Sequence, residues 1–189
     1  MDDGSTDQTS SLLAALQSPD MVVVRHPRNM GKGAAVRTGL EHVRGDLVLI
    51  QDADLEYDPS DYPQLVGPIF RGEADVVYGS RIKGQTRRGY LRYYLGGKLL
   101  SWVTNRLYGT QSTAVPTGYK AFRTQLLKSV TLETNGFGFC AEITAKLAKQ
   151  GHRIREVAIS YTPRSFREGK KITWQSGLAF LWTLVRCRI

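Results

Sequence analysis

Short apolar segments alternate with longer amphipathic segments along most of this chain. Residues 47–50 and 74–78 have the length and the branched aliphatic side chains of buried strands. The segments between them have helical spacing and are bounded by capping residues such as Asp58 and Gly151. Strands that alternate with helices predict an α/β fold with a mostly parallel sheet covered by helices. The other predicted strands are residues 21–25 and 154–161, and the predicted helices are residues 5–16, 31–43, 58–71, 141–150 and 174–185.

Residues 90–108 differ from the rest of the chain because they combine aromatic residues, leucines and arginines in an amphipathic pattern. Two interpretations stay open for this segment. It is either a helix that lies on a membrane surface with its arginines on the wet side, or an ordinary helix that packs on the sheet. Trp102, Trp174 and Trp182 are interpreted as core residues or interfacial anchors rather than as stacking platforms. The apolar run at residues 178–185 is too short to span a bilayer.

The positive charge of the chain is concentrated in its middle. The 189 residues include 26 lysines and arginines and 17 acidic residues, which gives a formal net charge of +9. Residues 76–132 contain ten of the cations and no aspartate or glutamate, whereas the remainder is nearly neutral. A field of one sign attracts polyanions: nucleic acid, anionic lipid or a phosphorylated substrate. Because no recognisable nucleic-acid-binding motif accompanies the charge, we expect no nucleic-acid partner.

Two aspartates directly follow the predicted strand at residues 47–50. Asp52 and Asp54 are separated only by Ala53, and ligands of open α/β sheets bind just beyond the carboxyl ends of the strands. Paired carboxylates at that edge suit a hard divalent cation and a phosphate-bearing ligand. The alternative is a solvated turn, since aspartate is common after strands. The glycines around Lys32 fit neither a Walker loop nor a dinucleotide-binding turn, because the spacing differs from both.

Several further motifs occur in a consistent order along the chain. They are DDGSTD at 2–7, GKGAA at 31–35, DAD at 52–54 with EYDP at 56–59, GSR at 79–81, TGYKAFR at 117–123, GFGF at 136–139 with Glu142, and residues 164–171. In this series the chain resembles the family 2 glycosyltransferases, and more closely their dolichyl- or polyprenyl-phosphate mannose and glucose synthase branch. The resemblance extends over essentially the whole chain. It implies a single domain, residues 1–189, with the GT-A nucleotide-diphospho-sugar transferase fold.

The resemblance implies a donor site on the acidic and glycine-rich motifs. Asp52 and Asp54 would form the metal motif that holds Mg²⁺ or Mn²⁺ against the diphosphate, and would be catalytic together with Arg81 and Glu142. For Glu142 two roles stay open, namely orienting an acceptor group and acting as a carboxylate in the field of a helix dipole. The residues implied in binding the nucleotide sugar, a GDP- or UDP-hexose, are Asp2, Asp3, Gly4, Ser5, Gly31, Lys32, Gly33, Asp52, Ala53 and Asp54.

The implied acceptor is a polyprenyl phosphate, either dolichyl or undecaprenyl. A phosphate acceptor is largely ionised near neutral pH, since its second pKa is about 6, so it needs little help from a general base. It does need cations, and arginine forks match its geometry. Ser80 and Arg81 would border the donor sugar and this phosphate. The candidates for the acceptor phosphate are Ser80, Arg81, Arg87, Arg88, Lys120, Arg164, Arg167, Lys170 and Lys171.

Two positions depart from the family pattern. The acidic loop at residues 2–7 should follow a strand, and none precedes it, so we interpret the chain as an N-terminally shortened version of a larger domain. Thr113-Ala114 stands where the family commonly has Thr-Asp, which removes a usual acidic residue of the active site. His26, His42 and His152 are scattered, and we expect no catalytic role for them.

The expected function is therefore metal-dependent, inverting transfer of a hexose to a polyprenyl phosphate. The expected place is the cytoplasm, peripheral to the inner face of an anionic membrane. The alternative that the missing strand and Ala114 motivate is a catalytically impaired nucleotide-binding remnant of such an enzyme.

Overall fold

The computed structural model describes residues 1–16, 18–84, 90–164 and 173–189. The expectations for Arg87, Arg88, Arg167, Lys170 and Lys171 lie outside these described residues. The helices are α1 Thr9–Ala15, α2 Lys32–Glu41, α3 Tyr62–Phe70, α4 Leu91–Tyr108, α5 Thr124–Ser129, α6 Phe139–Lys149 and α7 Trp174–Arg186, and a 3-10 turn at Pro59–Asp61 precedes α3. The strands are β1 Leu47–Ile50, β2 Val76–Ser80, β3 Lys120–Arg123 and β4 Ile154–Ala158.

The sheet has the strand order β1-β3-β2-β4 and mixed strand directions. β3 is antiparallel to both β1 and β2, and β2 is parallel to β4. The predicted α/β architecture is confirmed, with β1, β2 and β4 running in one direction. The expectation of mostly parallel pairing needs correction, because β3 lies between β1 and β2 and makes two of the three pairings antiparallel. Lys120 and Arg123 are the first and last of the four residues of β3, which leaves only two apolar residues between them, so its sequence does not have the pattern of a central strand.

This topology places several loops at one edge of the sheet. β1, β2 and β4 end at that edge, and β3 begins there because it runs the opposite way. The loops that follow β1, β2 and β4 therefore meet the segment that precedes β3. Asp52, Arg81, Gly118 and Arg164 lie on these four segments.

The core occupies both faces of the sheet. Alternate side chains of a strand point to opposite faces, and Val76 and Val77 of β2 accordingly belong to different clusters. The larger cluster lies between the sheet and the helices α6 and α7, and the smaller one lies beneath α3. Phe139, Ile143 and Leu184 are fully buried in the larger cluster.

The predicted strand at residues 21–25 is wrong. Only Arg25 pairs, in an isolated parallel bridge with Asp2, through hydrogen bonds from Asp2 N to Val24 O and from His26 N to Asp2 O. The ladder does not continue, because the chain turns at Gly4, where φ is +72°. The first helix also begins later than predicted, at Thr9, whose N–H donates to Asp7 Oδ1 at 2.9 Å.

The helix predicted at residues 90–108 is present as α4, and its position on a membrane surface stays a prediction. α4 packs against α6 and α7, with Ser101 and Thr104 buried, while Leu91 and Trp102 are largely exposed. Within the described ranges, no helix has both the length and the apolar character needed to cross a bilayer.

Two glycines of α2 provide a matched test of how this helix is attached. A Cβ atom at Gly33 would lie 1.9 Å from Thr134 O, whereas one at Gly39 would meet nothing within 4 Å. We expect Gly33→Ala to lower the free energy of unfolding by about 2 kcal/mol, because backbone must shift. Gly39→Ala should raise it by up to about 1 kcal/mol through helix propensity. Urea unfolding measures both, and equal effects would contradict the packing described.

Candidate active site

Asp52 and Asp54 lie on the loop after β1, and each is paired with one basic side chain. Lys32 Nζ, at the start of α2, is 2.5 and 2.7 Å from the two carboxylate oxygens of Asp52. Arg164, beyond β4, donates to Asp54 Oδ2 at 3.0 Å. The side chains of Asp52 and Asp54 are 30% and 20% exposed, so both remain accessible to a solute.

The backbone of Gly118 packs directly against the carboxylate of Asp52. A Cβ atom at position 118 would lie 2.5 Å from Asp52 Oδ2 and 2.7 Å from the ring of Tyr57. The N–H of Gly118 donates to the Tyr57 hydroxyl at 2.8 Å. The glycine of the TGYK motif is therefore required by the close approach of the Asp52 carboxylate.

The aspartates lie in a region of high negative charge density. Burial, together with the charges of Glu56 and Asp52, raises the pKa of Asp54, and Arg164 offsets this only in part. Burial alone would lower the pKa of Lys32, but its interactions with Cys140 and Asp52 outweigh that effect and raise it.

Glu56 fastens the segment after β4 to the loop after β1. Its carboxylate accepts the backbone N–H of Arg164 at 2.9 Å and the hydroxyl of Tyr161 at 3.0 Å. The buried Tyr161 ring also packs against Tyr57, with centroids 5.3 Å apart. These contacts fix the position from which Arg164 reaches Asp54.

Ser80 is the last residue of β2 and Arg81 follows it, and their side chains have different environments. The guanidinium of Arg81 lies over the Tyr161 ring, 4.9 Å from its centroid, and donates to Pro116 O at 3.2 Å. Ser80 is fully buried, and its hydroxyl is 2.6 Å from Thr113 Oγ1. Its oxygen also accepts the N–H groups of residues 82 and 83, which holds the turn. A contact of Ser80 with the donor sugar stays a prediction.

The acidic motif at the start of the chain holds the loop that precedes Lys32. Asp3 accepts the N–H groups of Met30 and Gly31 at 2.9 and 2.8 Å, and its Oδ1 lies 2.7 Å from His26 Nδ1. Burial alone would raise the pKa of Asp3, but these hydrogen bonds keep it below its usual value.

Asp2 is enclosed at the base of the same motif. Hydrogen bonds from Ser10 and Ser5 lower the pKa of Asp2 to about 2, and its side chain is 1% exposed. A Cβ atom at Gly4 would lie 2.3 Å from the backbone of Arg28, so this loop also requires a glycine. Contacts of these residues with a nucleoside stay predictions.

Glu142 holds the segment 133–135, against which the start of α2 packs. Its carboxylate accepts the N–H groups of Glu133 and Thr134 at 2.9 and 2.8 Å, and Lys146 Nζ lies at 2.7 Å. The next carbonyl along, that of Asn135, accepts the N–H of Gly33 at 2.6 Å. Glu142 is fully buried in the first turn of α6, as expected for a carboxylate in the field of the helix dipole. A role in orienting an acceptor group stays a prediction.

Lys120 is buried at the start of β3. Its ammonium donates to the carbonyls of Val115 and Thr117 at 2.9 and 2.6 Å and lies 4.4 Å from the Tyr78 ring centroid. Burial lowers the pKa of Lys120 to about 8. Direct contact with an acceptor phosphate, which stays a prediction, would require the segment of residues 115–117 to open.

Glu156 on β4 belongs to the site but was not identified from the sequence. Its carboxylate accepts the N–H groups of Thr113 and Ala114 at 2.7 and 3.1 Å and the hydroxyls of Ser112 and Thr113. Lys83 Nζ lies 3.3 Å away. A glutamate in a short strand gives no sequence signal that its side chain is buried. The only sequence feature that points to Glu156 is the pair of hydroxyl residues before Ala114, which need an acceptor.

The residues present fit a divalent cation of the Mg²⁺ or Mn²⁺ type. Among the described residues, no group of three or more His, Cys, Asp or Glu side chains is arranged to hold a metal ion by itself. Magnesium is nevertheless often bound by one or two carboxylates, with substrate phosphates and water completing its coordination. The oxygen donors of Asp52 and Asp54 match this pattern, and both side chains are accessible to a solute.

Comparison with known proteins identifies the family. Residues 1–131 match the family described as glycosyl transferase family 2. The undecaprenyl-phosphate mannosyltransferase of Micrococcus luteus is 30% identical over 224 residues, which cover 100% of this chain and 85% of the relative. The chain therefore belongs to glycosyl transferase family 2, as the sequence motifs predicted.

Other relatives are considerably longer than this chain. A low-salt glycan biosynthesis hexosyltransferase of Haloferax volcanii is 30% identical over 86% of this chain and 39% of its own length. The dodecaprenyl-phosphate galacturonate synthase of Rhizobium johnstonii is 30% identical over 87% of this chain and 48% of its own length. The chain thus spans less than half of these two relatives.

Solved structures show the same fold. The glucosyl-3-phosphoglycerate synthase of Mycobacterium tuberculosis in complex with uridine diphosphate superposes with a TM-score of 0.73 at 24% identity, over 98% of this chain and 67% of that one. The complex of that enzyme with Mn²⁺, UDP-glucose and phosphoglyceric acid gives a TM-score of 0.70 at 25% identity, over 98% and 66% of the two chains. The predicted GT-A fold is confirmed.

The burial of Lys120 predicts a pH dependence of stability. Its pKa is lowered from 10.5 to about 8, so between these values the unfolded chain binds a proton that the folded chain has released. The contribution of Lys120 to stability therefore rises with pH from about 8 to 10.5, and the destabilising effect is fully present below pH 8. Lys120→Met should remove this rise, which amounts to roughly 3 kcal/mol.

Urea unfolding of the native protein and the variant between pH 7 and 10 measures the difference, and the shared tyrosines cancel. Lys128→Met is the control, since Lys128 is exposed on α5 and should leave the slope unchanged. Parallel curves for the native protein and Lys120→Met would contradict the assignment.

Proposed function

We propose that this chain is the catalytic domain, residues 1–189, of a metal-dependent, inverting glycosyltransferase that transfers a hexose from a nucleoside-diphosphate sugar to a polyprenyl phosphate. The observation that carries the proposal is the pair Asp52 and Asp54 at the edge of the sheet. Both are accessible and both are held by cations from distant segments. Membership of glycosyl transferase family 2 supports the reaction class.

On the donor side, Asp52 and Asp54 would hold the Mg²⁺ or Mn²⁺ ion beside the diphosphate. The bound ion supplies Lewis-acid stabilisation of the leaving diphosphate. Lys32 adds a second positive charge, because its ammonium is fixed beside Asp52 at the first position of α2. The N-terminus of that helix also favours an anion. Asp3 orients this loop through the Met30 and Gly31 N–H groups.

On the acceptor side, a phosphate oxygen would attack the anomeric carbon as the bond from that carbon to the diphosphate oxygen breaks. Arg164, which donates to Asp54, and Arg81, which lies over the Tyr161 ring, are the described arginines that would hold the acceptor phosphate. An ionised phosphate has no proton to lose, so Ala114 is compatible with this acceptor. A hydroxyl acceptor would need a general base instead.

The names of the relatives support this substrate class. They include an undecaprenyl-phosphate mannosyltransferase and a dodecaprenyl-phosphate galacturonate synthase, and a solved neighbour was crystallised with Mn²⁺ and UDP-glucose. Both UDP- and GDP-hexoses remain candidate donors for this chain. Because polyprenyl phosphates reside in membranes, the proposed place of action is the cytoplasmic face of an anionic membrane.

The alternative is a nucleotide-binding remnant without sugar transfer. Ala114, in place of the usual aspartate, is the observation that favours it. Titration calorimetry with UDP and GDP in the presence of Mn²⁺, combined with a transfer assay, separates the two. Tight binding of a nucleotide without turnover of any tested hexose donor would favour the remnant.

The decisive test is the charge of the two aspartates. Asp52→Asn and Asp54→Asn should each reduce transfer by at least about a hundredfold, because the leaving diphosphate loses its metal clamp. Radiolabelled UDP- and GDP-hexoses with undecaprenyl phosphate in detergent measure the transfer. Calorimetry should show Mn²⁺-dependent nucleotide binding lost in both variants.

Asp75→Asn provides the matched control, since Asp75 is an exposed aspartate paired with Arg123 just before β2. It should retain full transfer and binding. Unchanged Mn²⁺-dependent nucleotide binding in the doubly substituted protein would refute the metal assignment.

A further inference from the structure

Leu55 has a backbone conformation that leucine rarely adopts. Its φ is +59°, and among the described residues it is the one other than glycine with a positive φ. In the left-handed region the Cβ atom of an L-residue crowds the following carbonyl oxygen, so a bulky side chain there is an outlier, whereas glycine and asparagine are common. Leu55 lies between Asp54 and Glu56, and this outlier is therefore part of the candidate active site.

Hydrogen bonds on both sides hold Leu55 in this conformation. The carboxylate of Asp54 accepts the N–H of Glu56 at 3.2 Å, across the turn that Leu55 occupies. Glu56 O accepts the N–H of Thr162 at 2.9 Å, and the Glu56 carboxylate accepts the N–H of Arg164 at 2.9 Å. The turn cannot relax without breaking the contacts that bring Arg164 to Asp54, so the unfavourable φ persists.

The side chain of Leu55 makes almost no contact with the rest of the domain. It is 92% exposed, more than any other large apolar side chain of the described residues except the C-terminal Ile189. One exposed leucine is ordinary on a protein surface, but a glycine or asparagine here would relieve the backbone as well. Within the described part of the chain the leucine thus gains no packing in return for its strain. Strain of this kind is typical of positions that contact a ligand.

The cation beside Leu55 indicates which ligand the side chain would meet. Arg164 is bonded to both neighbours of Leu55, because its guanidinium donates to Asp54 and its backbone N–H donates to Glu56. An apolar side chain next to an arginine suits a ligand in which a phosphate is joined directly to a hydrocarbon chain. In the proposed reaction the acceptor has this construction, whereas the nucleoside-diphosphate hexose carries polar groups along its whole length.

We propose that Leu55 contacts the first isoprene units of the acceptor when Arg164 holds its phosphate, and so selects a prenyl phosphate over a phosphate without a chain. This inference deepens the proposed function by naming a specificity-determining residue, and it rests on that function for the identity of the acceptor. No bond is made or broken at Leu55. Its contribution is the removal of hydrocarbon from water, which affects the affinity for the acceptor rather than the chemical step.

Methyl NMR observes the contact without any transfer. In protein labelled with ¹³C at the leucine methyl groups, the Leu55 signals are those missing from Leu55→Met. Geranyl phosphate should shift these signals, whereas inorganic phosphate at the same concentration should leave them in place, because it has no hydrocarbon. The signals of Leu12, a 61% exposed leucine of α1, are the control and should respond to neither. Unmoved Leu55 signals, or equal shifts at Leu12 and Leu55, would overturn the contact.

Substitution separates the apolar contact from the charge. Leu55→Asn should raise the KM for geranyl phosphate at least about tenfold, with kcat and the KM for the nucleotide sugar nearly unchanged. Inorganic phosphate should inhibit the native protein and this variant with the same inhibition constant. Leu55→Met keeps an apolar side chain of similar volume, so its KM should stay within about threefold of the native value. Leu12→Asn is the matched control and should leave the KM unchanged.

Stability distinguishes a ligand contact from a structural role. Because asparagine tolerates a positive φ, Leu55→Asn should raise Tm by about 2 °C while it weakens acceptor binding. A structural leucine would give the opposite sign, with Tm falling as the KM rises, and that result would overturn the inference. Circular dichroism measures both melting curves without substrate.

The outcomes separate this inference from the proposed function. Transfer to geranyl phosphate by the native protein, with a KM that Leu55→Asn does not change, would reject the role of Leu55 and leave the reaction in place. Shifts of the Leu55 methyl signals by geranyl phosphate, without transfer from any tested UDP- or GDP-hexose, would reject the proposed reaction and leave the isoprenoid contact in place.

Discussion

The candidate site depends on the neutralisation of two neighbouring carboxylates. Each of Asp52 and Asp54 is paired with one basic side chain. Burial is the main cause of the raised pKa of Asp54, and the charges of Glu56 and Asp52 add to it. The cations come from opposite ends of the domain, Lys32 from α2 and Arg164 from the segment after β4. The N-terminal loop, the glycines of α2 and the packing of Tyr161 all serve to bring these two side chains to one edge of the sheet.

Buried glutamates maintain this arrangement. Glu56, Glu142 and Glu156 each accept at least one hydrogen bond from a backbone N–H group of a segment distant in the chain or outside their own element. Burying a carboxylate is costly unless several donors satisfy it, and each of these groups has at least two. Such satisfied networks rigidify the loops around a site. Electrostatic stabilisation of a leaving diphosphate requires this kind of preorganised surrounding.

The apolar residues of the chain are distributed between two environments. The core holds the sheet to α3 on one side and to α6 and α7 on the other, whereas α4 and α7 also expose leucines and tryptophans. The contact of α4 with Arg81 and Pro116 links this helix to the active-site edge. The two sides of α4 therefore differ, because one side contacts the active-site edge and the other exposes apolar side chains to solvent.

The sequence by itself determined the local elements and the family. The apolar run of β1, the strand before Ser80, most helices and the D-x-D motif are local patterns, and the resemblance to family 2 glycosyltransferases follows from motifs in order. Only the tertiary structure decided that Lys120 and Glu156 are buried, that residues 21–25 form no strand, and that β3 lies in the middle of the sheet. β3 is four residues long and begins with Lys120. Its strand conformation is therefore evident only from its pairing with β1 and β2. Hydrogen-bond partners far apart in the chain set these features, and no local pattern encodes them.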